Sequence, residues 1–187
     1  MYPELLNDIE RITANAKSVD TGFATLLDRF ATSRPECDPA LLRSLDVGAD
    51  ASLLGDWFRR LLAAEPPSSD IATIYFGLVE MKPAGTQDRL WTLYACGFLA
   101  GREPGPSPKW WPEGRYAESR VLSAISERLQ AWPGDARLDA EYALVLGYAL
   151  LVGRSLAKTA GIPNVETFVG FDEGDLYAVS DNGRKKE

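Results

Sequence analysis

Ile71-Ala-Thr-Ile-Tyr-Phe-Gly-Leu-Val-Glu80 and Arg89-Leu-Trp-Thr-Leu-Tyr-Ala-Cys-Gly-Phe-Leu99 are the two stretches that decide the fold class. Both are rich in β-branched and aromatic residues, and Lys82-Pro-Ala-Gly-Thr86 between them is turn chemistry, so together they predict a β-hairpin. Ile74, Phe76 and Leu78 fall on one face by the two-residue period of a strand, as do Leu90, Thr92 and Tyr94, or their alternates Trp91, Leu93 and Ala95. Both faces are fairly apolar, which calls for a cover of helices on at least one side.

Outward from the hairpin the period becomes helical. Leu5, Ile9, Ile12 and Ala16 share one face of a helix over residues 3–17. A second helix, with Phe23, Leu26, Leu27 and Phe30 as its stripe, follows Asp20 or Thr21 as N-cap. Asp38-Pro39 opens a short helix to Leu45. Asp50 is expected to cap a stronger one, carrying Leu53, Leu54, Trp57, Phe58, Leu61 and Leu62 and stopped by Pro66-Pro67.

Downstream, a proline-rich loop over 101–112 leads into a helix over 117–131 that buries Val121, Leu122, Ile125 and Leu129. Next, over 137–159, Leu138, Tyr142, Val145, Ala149, Val152 and Leu156 repeat at helical spacing, and Leu144, Leu146, Leu150 and Leu151 widen the arc to that of a central helix. Gly147 and Gly153 within it imply close approach by a neighbour. A second hairpin, Val165–Phe171 and Leu176–Ser180, turns at Asp172-Glu-Gly-Asp175, the glycine supplying positive φ. The expectation is a single α+β domain over residues 1–183, a small antiparallel sheet of two hairpins packed against about six helices. Residues 184–187 read as a basic disordered tail.

Composition removes several chemistries. The chain has 187 residues and no histidine, which excludes Ser-His-Asp and Cys-His catalysis and imidazole-based zinc sites. Of the net charge of −7, the tail Arg184-Lys-Lys-Glu187 holds +2, which leaves −9 on residues 1–183. A body this acidic repels nucleic acid and is compatible with a basic protein partner. Two cysteines without CxxC spacing, and an N-terminus without a basic-then-apolar leader, read as cytoplasmic. The longest apolar stretch, Tyr142–Gly153, falls short of the roughly 20 residues of a membrane span.

Two segments stand out as candidate sites. Trp110 and Trp111, with Arg115 and Tyr116, form the densest aromatic segment, and Trp, Tyr and Arg are the residue types enriched at binding hot spots. The competing reading is a lid, with one or both indoles folded back onto the sheet. Asp172, Glu173 and Asp175 offer either a tight turn with an acidic contact surface or an incomplete oxygen set for Ca²⁺ or Mg²⁺. Cys96 reads as a small buried thiol. No phosphate loop or catalytic constellation is present, and no cofactor is implied.

The run Trp110-Trp-Pro-Glu-Gly-Arg-Tyr116 opening a helix, the apolar helix with Gly147-Tyr-Ala149, and Val169-Gly-Phe-Asp-Glu-Gly-Asp175 together resemble small acidic uncharacterised bacterial proteins. Some of these are encoded beside polymorphic toxins, where such proteins serve as immunity factors. The resemblance covers the C-terminal half and implies no catalytic motif. The expected function is a non-enzymatic protein-interaction module, of the immunity-inhibitor type. Its contact residues would be Trp110, Trp111, Arg115, Tyr116, Asp172, Glu173 and Asp175. The alternative is a small-molecule or divalent-metal-binding domain, including a carboxylate-based enzyme, with its pocket between helix 137–159 and the sheet. A third expectation is a homo-oligomer that uses the aromatic loop as its own interface.

Overall fold

A computed structural model of the chain describes residues 3–34, 38–82, 90–101, 104, 107–130, 132, 134–162, 165–172, 174 and 176–179. The elements run α1 (Pro3–Asn15), α2 (Val19–Ser33), α3 (Ala40–Arg43), α4 (Val47–Ala64), β1 (Ile71–Met81), β2 (Leu90–Leu99), β3 (Tyr116–Glu118), α5 (Arg120–Leu129), α6 (Gly134–Ala160), β4 (Glu166–Phe171) and β5 (Leu176–Ala178). The fold is α+β, as the sequence predicts.

β1 and β2 pair antiparallel, with Tyr75 opposite Cys96 and Gly77 opposite Tyr94. β4 and β5 form the second hairpin. The two hairpins join through β1 and β4, and there the pairing is parallel, Thr73 beside Glu166 through to Leu78 beside Phe171. The five-stranded sheet, ordered β3-β2-β1-β4-β5, is therefore mixed and not antiparallel throughout. The cause is the crossover: two helices intervene between the hairpins, and a helical connection is what parallel neighbours require. β3, which pairs Thr92 with Glu118 and Tyr94 with Tyr116 at the edge, lies within what local patterning reads as loop and helix start.

Two caps differ from expectation. Ser18, not Asp20 or Thr21, starts α2: its hydroxyl accepts from the Thr21 amide at 3.2 Å while Thr21 Oγ1 accepts from the Ser18 amide, a reciprocal box that satisfies two otherwise orphaned donors. Asp46, not Asp50, starts α4 by accepting from the Ala49 amide at 3.0 Å. Gly174 is outside the left-handed region expected of it. It closes its turn with an amide bond to the Phe171 carbonyl at 3.0 Å, and a side chain there would sit 3.0 Å from Phe171 Cβ.

All the buried helical faces join one core with Ile74, Phe76, Leu78, Leu93, Ala95 and Val169 of the sheet. α6 runs through its centre, against α1, α2, α4, α5 and β4. Residues Arg137–Thr159 are long and apolar enough to cross a membrane by length and composition, but 72% of the apolar window is buried inside the fold, which makes this the core helix. The glycines in it act as expected: a Cβ on Gly153 would lie 2.3 Å from Val169 Cγ2, and one on Gly147 2.6 Å from Leu26 Cδ1. Leu138, placed on the stripe by spacing, is 60% exposed, whereas Ala140, half a turn further, is fully buried.

Candidate functional site

Alternation along the strands sends Tyr75, Tyr94, Cys96 and Phe98 to the side of the sheet opposite the helices, where Val79 and Phe168 pack against them. No helical side chain belongs to this second cluster among the described residues. Gly77 creates the arrangement at its centre. A Cβ there would meet the Tyr94 ring at 2.2 Å, so only glycine lets that ring lie across β1 and carry its hydroxyl to the Asp172 carboxylate, to which it donates a hydrogen bond. Tyr75 stands edge-on to Tyr94 at 5.8 Å and donates to the Phe171 carbonyl at 2.9 Å. Burial first, then Asp172, as a nearby charge for Tyr75 and as hydrogen-bond acceptor for Tyr94, raises both phenols above their ordinary range, so both stay protonated donors. Burial and Asp172 likewise push the Cys96 thiol up to about 12.

The proline-rich loop delivers one indole to each side of the sheet. The Gly97 amide donates to the Trp110 carbonyl at 2.9 Å, and the Trp110 amide returns a bond at 3.1 Å, so this stretch extends the β2 edge. Trp110 points to the helices, is 7% exposed and donates Nε1–H to the Glu65 carbonyl at 2.9 Å. It is a core residue, which corrects its expected place on a contact surface. The next residue along an extended chain faces the other way: Trp111 lies on the side away from the helices, 45% exposed, edge-on to Tyr94 at 5.7 Å.

Gly114, at φ +67, then reverses the chain, and Trp57 of α4 donates to its carbonyl at 2.9 Å. The reversal returns Arg115 and β3 to β2, with the Ala95 amide bonded to the Arg115 carbonyl at 3.0 Å. The Arg115 guanidinium sits 4.3 Å from the Trp111 ring centre and 4.8 Å from that of Tyr116, and donates to the Pro112 carbonyl at 3.0 Å. Tyr116, 42% exposed, leans on Tyr94 at 5.9 Å.

The structure thus brings Trp111, Arg115, Tyr116 and Asp172 together through Tyr94. Glu173 and Asp175 lie outside the described residues. Among the described residues, no group of three or more His, Cys, Asp or Glu side chains converges. Tyr94 and Gly77 went unselected in the sequence because both strand faces are apolar and their alternation alone did not say which face the helices take.

A second polar constellation is buried on the helical side. Asp50, 5% exposed, accepts from Ser119 Oγ at 2.6 Å, the Arg120 amide at 3.0 Å and the Tyr148 hydroxyl at 2.8 Å. Ser119 in turn caps α5 by accepting from the Leu122 amide at 3.0 Å. One carboxylate therefore ties α4, α5 and α6 together. Its signal was present in the sequence: Asp50 falls in register with Val47, Leu54, Phe58 and Leu61, a polar residue at a core position.

Fold and site together define an α+β protein that, among the described residues, has helices on one sheet face and on the other a buried aromatic cluster edged by exposed Trp111 and Tyr116. In comparison with known proteins, the chain matches no family model, no curated protein and no solved structure.

Proposed function

We propose that this protein is a non-enzymatic interaction module that docks a partner protein on the exposed aromatic edge of its sheet, formed by Trp111 and Tyr116, in the manner of an immunity-type inhibitor. The observation that carries the reading is the pairing of Trp111 and Tyr116, both substantially exposed, on rings already fixed by Tyr94 and Arg115. Large amphipathic side chains held in place beforehand lose little freedom on binding, which is the physical basis of a hot spot. Met81 and Leu176, also exposed on sheet strands, add apolar area.

Hydroxyl-radical footprinting tests this reading, because it reports the accessibility of individual Trp, Tyr and Met side chains. Oxidation of Trp111 and Tyr116 should fall when the partner binds, while Leu41 and Leu53, exposed on α3 and α4, keep their reactivity. Protection of the helical side with Trp111 unchanged would contradict it.

A further inference from the structure

The sheet face opposite the helices has several exposed carboxylates around its buried centre. Glu118 on β3 and Glu166 on β4 share the strand parity of Tyr116 and Phe168, so both point away from the helices, and both are exposed. Glu113 is exposed in the loop that presents Trp111, and Asp172 is exposed just past β4, where its own amide donates to the Leu78 carbonyl at 3.1 Å. Of the cations on this side, Arg115 is already engaged by two rings and a backbone carbonyl, and Lys109, exposed beside Trp110, lies close enough to Asp70 to act on its charge.

Asp172 differs from the other carboxylates in being held. Tyr94 fixes it with one hydrogen bond, while a carboxylate has room for several donors. An ordered, exposed acceptor at the margin of an aromatic cluster suits the charged head of a long cation, which meets the carboxylate oxygens while keeping contact with water.

Resting on the docking reading above, we propose that the partner is a basic protein and that it presents a Lys or Arg side chain to Asp172 while its neighbouring surface meets the exposed Trp111 and Tyr116. Glu113, Glu118 and Glu166, spread away from Asp172, then act at longer range, steering a positively charged surface onto the exposed aromatics and speeding its association.

A random peptide library displayed on phage, selected against the intact protein, supplies the probe. Selected peptides should be enriched in Lys and Arg, should bind Asp172→Asn on the order of tenfold more weakly, and should lose affinity as salt rises. Trp111→Ala should weaken the same peptides at least as much. Peptides that are lost on Trp111→Ala but carry no basic enrichment, or that ignore Asp172→Asn, would overturn the basic partner and leave the docking face standing. Peptides indifferent to Trp111→Ala would overturn the docking face itself, and a selection that yields no binder would count against both.

Discussion

Asp50 illustrates how one side chain can fix three elements. Removing it takes the acceptor from the buried Ser119 hydroxyl and the Arg120 amide and leaves the Tyr148 hydroxyl only the Val47 carbonyl at 3.4 Å. Asp50→Ala should therefore lower unfolding free energy by about 3 kcal/mol or more, and Tyr148→Phe by about 1.5 kcal/mol, as read by urea denaturation. Equal stability of Asp50→Ala and wild type would refute the role given to the carboxylate. At the other face, burial sets the chemistry of Cys96. With its thiol pushed up to about 12, the reactive thiolate appears only as pH climbs toward that value. In a Cys37→Ser background, iodoacetamide at pH 8 should leave Cys96 unmodified until the chain is unfolded; rapid labelling of the native protein would contradict the burial.

At the scale of elements, periodicity located almost every helix and strand, because each buries a regular stripe. What it missed were features set by partners distant in sequence. Asp50 resembles an N-cap when only its own segment is considered, and becomes a core acceptor once α5 and α6 supply the donors. β3 is too short to show alternation and exists because Gly114 turns it onto β2. The close approaches within α6 were legible, since a glycine inside a strongly apolar helix has few other uses. Gly153→Ala should cost about 1 to 3 kcal/mol by forcing its new methyl into Val169, despite the better helix propensity of alanine. Thermal denaturation at or above the wild-type midpoint would show that β4 can yield there.

Across the whole molecule, the α+β class follows from two hairpins embedded among helices, whereas the parallel join of those hairpins does not. Parallel pairing is decided by where a long crossover returns the chain, and no local pattern encodes that. The candidate site divides the same way. Its residue types were visible in the sequence, but the assignment of one indole to the core and its neighbour to the surface depended on which sheet face the helices cover. That division makes the central claim measurable. Trp110→Ala should destabilise the protein by about 3 to 5 kcal/mol, the cost of emptying a large core position. Trp111→Ala should leave stability within about 1 kcal/mol of wild type. The decisive quantity is the dissociation constant of folded Trp111→Ala for the partner that wild type binds. The account predicts a loss of about 2 kcal/mol or more, roughly thirtyfold in affinity. An unchanged dissociation constant would contradict it.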